Sequence, residues 1–250
     1  MMEAENYQNI SRYSPDVILN DLSSLTPTVY SALETANEIA PQCIGLFCDK
    51  QAIDEGDKKI IRLLYPSLLR AIVQVLLNSQ QFKTQALMEK DGNVKDILDW
   101  ECHILSNNGL AGKYGEFNYK ILKGIDGKLP PPGYSRRKQD FYRQTHLLQS
   151  RFKTYDTSND IIIVPQKPNV VYLWDRISSA IIMYLSCPSG GDEKHAYAHF
   201  TVPIEHPAST YKPPVKPEQI IEDIDLTVIE PEMNVISDDE ENDNDIREQN

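Results

Sequence analysis

The segment Ser67–Leu77 constrains the fold of this chain more than any other. Leu68-Leu69, Ile72-Val73 and Leu76-Leu77 recur at the three- and four-residue spacing of one helix face. An apolar stripe that wide must be covered, so it marks the core and requires partner elements around it. Ile60–Tyr65 leads into the stripe, with Asp57 as a cap, and Pro66 is expected to kink or restart the helix. Upstream, Ser14-Pro15-Asp16 carries a helix start signal, a cap followed by proline in the first turn. Thr26-Pro27 repeats that signal, and Val29, Leu33, Ala36 and Ile39-Ala40 continue at helical spacing until Pro41, which is expected to end the helix.

Further along, Val94, Ile97-Leu98 and Ile104-Leu105 suggest another helix, closed by Asn107-Asn108-Gly109. Residues 109–135 hold six glycines and three prolines and are read as a long exposed loop. Arg137–Phe152 is read as a helix and Ile161–Val164 as one short strand. Asn169 is expected to cap a last helix carrying Val170, Trp174, Ile177, Ile181 and Leu185. The expectation is therefore a mainly α fold: a flexible start over 1–13, one domain of about six helices over 14–188, and a low-structure tail over 189–250.

Charge supports a separate tail. From His206 onward there are 13 acidic and 3 basic residues, against 24 and 22 before it. The folded part is nearly neutral and the acidity is terminal, which weighs against non-specific nucleic-acid binding by the whole chain. No apolar run reaches the roughly 18 residues of a membrane span. The acidic start, Met1–Glu5, has no basic and apolar leader pattern, so a secreted protein is not expected. The four cysteines are then expected as free thiols, and the compartment as nucleus or cytoplasm.

Four groups of residues carry candidate chemistry. Pro131-Pro132-Gly133-Tyr134 follows Leu129-Pro130; consecutive prolines pre-form a polyproline II ligand, and Tyr134 suits the pocket beside an aromatic groove. The spacing matches the PPxY ligand of WW domains. It resembles the docking sites read by HECT-type ubiquitin ligases and the late motifs of some viral matrix proteins.

The tail offers Val215-Lys216-Pro217-Glu218, a SUMO-acceptor pattern centred on Lys216, and Ile224-Asp225-Leu226-Thr227-Val228-Ile229, which can add as a strand to a sheet edge. The latter resembles the SUMO-interacting segment of PIAS-type SUMO ligases, with Asp223 where that version has valine. The likeness spans about ten residues and carries over no ligase activity. Ser237, followed by four acids, suits an acidophilic kinase.

Tyr134–Lys153 interleaves aromatics with Arg136, Arg137, Lys138, Arg143, Arg151 and Lys153, a pattern that can follow a phosphate backbone, although Phe141, Thr145, Leu148 and Phe152 also form an ordinary core stripe. Cys187, His195 and His199 have loose metal-ligand spacing but lack a paired CxxC, and neither metal nor cofactor is expected. No nucleotide-binding or hydrolase signature is found.

The sequence therefore predicts a non-enzymatic adaptor. Its partners would be SUMO or SUMO-modified proteins and a WW-domain protein, with no membrane and with nucleic acid a lesser candidate. The alternative is a viral structural or accessory protein that self-associates or binds nucleic acid through the basic segment and uses the proline motif to recruit a ubiquitin ligase.

Overall fold

The computed structural model describes residues 14–47, 55–80, 82–83, 101–105, 109–144, 154–155, 161–162, 167–207 and 217. Within them lie four helices and eight strands. The helices are α1 (Pro15–Asp21), α2 (Leu25–Phe47), α3 (Glu55–Asn78) and α4 (Arg136–Tyr142). The strands are β1 (Glu101–Ile104), β2 (Leu110–Tyr114), β3 (Phe117–Lys123), β4 (Thr154–Tyr155), β5 (Ile161–Ile162), β6 (Val170–Ile177), β7 (Ala180–Gly191) and β8 (Ala196–Ile204). Six of these strands form one mixed sheet in the order β1-β2-β3-β6-β7-β8, and β4 pairs with β5 alone. Strand makes up 35% and helix 40% of the interpretable residues, so the fold is α/β and not mainly α.

The helical half follows its local signals. Ser14 caps α1, its Oγ accepting from the Val17 amide at 3.3 Å, with Pro15 in the first turn. Pro41 does not end its helix, and Pro66 does not start a separate one. Pro41 lies inside α2 and Pro66 inside α3, and both helices continue past them. An interior proline forfeits one backbone hydrogen bond and strains one turn. Continuing α2 beyond Pro41 buries Cys43 and Ile44, and continuing α3 beyond Pro66 buries the whole Leu68–Leu77 stripe. Burial at about 25 cal/mol per Å² over several side chains exceeds that local loss.

The sheet is what helical spacing concealed. Val170, Trp174, Ile177, Ile181 and Leu185 sit on two antiparallel strands, not on one helix. Val170–Trp174 are all buried, the continuous apolar run of a central strand covered on both faces. Ile177 pairs with Ala180 across a two-residue turn in which Ser178 takes φ +60°, as tight hairpins require. The supposed loop at 109–135 begins with another hairpin, β2–β3, turned at Gly115 with φ +54°. Glu101–Ile104, read as the end of a helix, is an outer strand, and the Asn78 side chain pairs with both backbone polar groups of Cys102 at 2.9 Å each. The sheet also runs past residue 188, and Ala196–Ile204 forms its other edge. Ile161–Ile162 is paired with Thr154–Tyr155 and so is not an isolated strand.

One face of the sheet carries Tyr119, Ile121, Tyr172, Trp174, Met183 and Leu185 into the core with α2 and α3. Thr26 Oγ1 meets the Tyr172 hydroxyl at 2.9 Å, and the Tyr30 hydroxyl donates to the Ile181 carbonyl at 2.7 Å, which fixes α2 over the central strands. All neighbouring pairs are antiparallel except β3–β6. A parallel pair needs a crossover, and here the crossover carries the proline motif and α4. Among the described residues, no helix is long and apolar enough to cross a membrane.

Candidate functional site

Strand β3 alternates strictly. Phe117, Tyr119 and Ile121 enter the helix-covered core, and Lys120 points to the opposite face, below the crossover. There it is only 8% exposed. Its ammonium lies 4.0 Å from the Phe141 ring centre and 6.0 Å from that of Tyr142, both on α4. Among the described residues, no carboxylate or hydrogen-bond acceptor meets it.

A cavity of about 330 Å³ opens at this lysine. Its charged lining is Arg70 from α3, Lys120 and Lys123 from β3, and Lys138 from α4; Pro130, Pro131 and Tyr142 form an apolar wall. No Asp or Glu lines it among the described residues, and Asp140, the one acid of α4, is not part of the lining. Burial lowers the Lys120 pKa to about 8, with repulsion from Lys138 and Arg137 adding to it. Burial also lowers the pKa of Lys138. Four cations in the described lining, with no carboxylate among the described lining residues, make the site complementary to an anion.

The placement of α4 depends on Gln144. This residue takes φ +57° just past the helix. Its Nε2 donates to the carbonyls of Asn169 and Pro188, both at 2.9 Å, and its Oε1 accepts from the Asn169 amide at 2.7 Å. Asn169 Nδ2 in turn donates to the Phe141 carbonyl at 2.8 Å. Start of β6, end of α4 and middle of β7 are thus locked together, and Phe141 is held over Lys120.

The proline motif borders the same cavity. Pro131 is exposed and Tyr134 is 82% exposed, but Pro132 is buried. The Pro132 ring lies so near Gly191 that a Cβ there would come within 2.8 Å of it. The Gly133 φ of +65° reverses the chain, Gln139 Nε2 donates to the Gly133 carbonyl at 2.8 Å, and the Tyr142 hydroxyl donates to the Pro130 carbonyl, also at 2.8 Å. A WW groove takes both prolines from one extended face. In this conformation Pro132 would first have to leave Gly191.

Of the basic residues singled out by sequence, Lys138 lines the cavity, and Arg136, Arg137 and Arg143 are exposed on or beside α4. The helix covers only Arg136–Tyr142, shorter than expected, and Arg151 and Lys153 lie outside the described residues. So do Lys216, Ile224–Ile229 and Ser237 of the tail. Tyr142, one of the aromatics interleaved with that basic segment, also lines the cavity, whereas Arg70, Lys120 and Lys123 do not stand out in the sequence. The available signal was a lysine at the centre of the apolar run Phe117–Leu122. Cys187 is buried, His195 lies 3.2 Å from Asp192 in an exposed turn, and among the described residues no three metal-ligating side chains converge.

Fold and site together define a mixed α/β domain with a cationic cavity at the crossover of its one parallel strand pair. No family model, curated protein or solved structure matches the chain.

Proposed function

We propose that this protein is a non-enzymatic binding protein that holds single-stranded nucleic acid on the face formed by β3 and α4. The observation that carries this reading is the convergence of Arg70, Lys120, Lys123 and Lys138 on one cavity with no carboxylate in its described lining. Exposed Arg136, Arg137 and Arg143 extend the positive surface along α4, and Tyr134, its hydroxyl hydrogen-bonded to Glu193, offers an exposed aromatic ring beside it. Cations that follow a phosphate backbone, with an aromatic side chain for a base to stack on, are the elements of single-strand binding. The acidic tail then keeps the remainder of the chain from acting as a general polyanion trap.

The test is fluorescence anisotropy of a labelled, unphosphorylated oligonucleotide with the full chain over 50–300 mM salt, as an order-of-magnitude range. Affinity is expected to fall with salt. Replacing both Arg136 and Arg137 by Ala should lower the slope of log K against log salt by roughly 0.7 per contact removed. Absence of binding at the lowest salt, or an unchanged slope in the double variant, would overturn the proposal.

A further inference from the structure

Resting on that reading, we infer that the cavity receives a terminal phosphomonoester, so that the protein prefers nucleic-acid ends bearing a phosphate over interior segments. Beside its four cations the cavity is lined by Pro66, Leu105, Leu122, Pro130, Pro131 and Tyr142, so its charged groups are set among apolar walls. At about 330 Å³ it lies at the small end of ligand sites. An interior phosphodiester has chain leaving in both directions, whereas a terminal phosphate has chain leaving in one and so needs less of a small site's opening.

Charge points the same way. An interior diester carries one negative charge, and a terminal monoester carries about −1.5 to −2 near neutral pH. Lys120 is more than nine-tenths buried, meets no acceptor among the described residues, and has Lys138 and Arg137 near enough to repel it. One dianion seated between Lys120 and Lys138 would relieve that repulsion and give each ammonium a charge-assisted contact. Phe141 lies over the Lys120 ammonium at 4.0 Å and restrains the lysine from swinging out to solvent. The exposed Arg136, Arg137 and Tyr134 are then left for the nucleotides behind the end.

The experiment compares three otherwise identical ten-nucleotide strands, one with a 5′-phosphate, one with a 3′-phosphate and one with neither, each titrated with the full chain and with Lys120→Met. About tenfold tighter binding of a phosphorylated strand over the unphosphorylated one, a ratio that falls towards one in Lys120→Met, is the expected result. Which end is preferred identifies the polarity of the bound strand. Equal affinity for all three strands overturns the inference and leaves the proposed function standing. A phosphate preference that survives Lys120→Met overturns the placement in this cavity. No binding of any strand removes both. Melting of the variant followed by circular dichroism shows that it is folded, and Lys138→Met, on the other side of the cavity, should reduce the same preference.

Discussion

Replacing Lys120 with Met should make the protein more stable at neutral pH. Burial holds the Lys120 pKa at about 8 in the folded chain, against 10.5 for a solvated lysine. Sealed from water, that difference would correspond to roughly 3 kcal/mol. The cavity admits solvent to the ammonium, and screening reduces the penalty to about 1–2 kcal/mol. Met keeps the length and apolar stem of the side chain and loses the contact with Phe141, worth about 0.5–1 kcal/mol. The net gain is then about 1 kcal/mol, or a rise in Tm of roughly 2–4 °C for a chain of this size.

The pH dependence identifies the cause. A lysine with a depressed folded pKa penalises folding fully below about pH 8, and the penalty fades as pH rises from 8 towards 10.5, where the unfolded chain also loses its proton. Cys102 and Cys187 act in the opposite sense. Burial raises both thiols to about 12, so above pH 9 the unfolded chain ionises first and stability falls. Both thiols are present in the wild type and the variant, so their effect cancels in the difference. Urea melts of the two proteins should show Lys120→Met ahead at pH 7 and the gap closing by about pH 10. A less stable variant at pH 7, or a gap that does not change with pH, would refute the electrostatic account of this lysine.

Other perturbations test the frame around the site. Tyr172→Phe leaves the buried Thr26 hydroxyl without its 2.9 Å partner and should cost about 1–2 kcal/mol in urea melts, much of it recovered when Thr26→Val is added. Gln144→Ala removes the side-chain hydrogen bonds that tie the end of α4 to β6 and β7; a loss of about 2–4 kcal/mol is expected, with faster amide exchange at Asn169, and unchanged exchange there would show that α4 is held by other contacts. Leu69→Ala, at a fully buried position of α3, should cost about 2–5 kcal/mol in thermal or urea unfolding. Native protein treated with iodoacetamide at pH 8 should keep Cys102 and Cys187 unmodified, as peptide mass mapping would show, because both thiols are buried and protonated at that pH.

The helical half was legible because its signals are local. Ser14-Pro15 announces α1, and the Leu68–Leu77 stripe announces the core face of α3. Pro41 misled because a proline's cost is local and the burial that offsets it comes from elements far away in sequence. The sheet was hidden for a different reason. A strand covered on both faces shows no alternation, so Val170–Trp174 has no period of its own, and joined to Ile177, Ile181 and Leu185 it imitates a helix. In β3 the alternation Phe117, Tyr119, Ile121 was present but lay within a glycine-rich stretch that suggested a loop. The site was half visible: Lys138 and its arginine neighbours stood out as a basic cluster. Arg70 and Lys120 did not, because only the tertiary packing of α3 and β3 beside α4 brings them to that cluster.

That pairing also governs when the site can exist. The two strands are separated in sequence by the entire crossover, and joining them is among the highest-separation contacts in the sheet. Closing so long a loop loses chain entropy before any contact compensates, which places the step late in folding and slows it. Hairpins β2–β3 and β6–β7 can form early, each with its own tight turn, yet neither contains a cavity. Lys120, Lys138 and Arg70 meet only in the finished topology. Ligand capture by this cavity would therefore serve as a kinetic clock for the last stage of assembly, and a bound anion would retard the first step of unfolding.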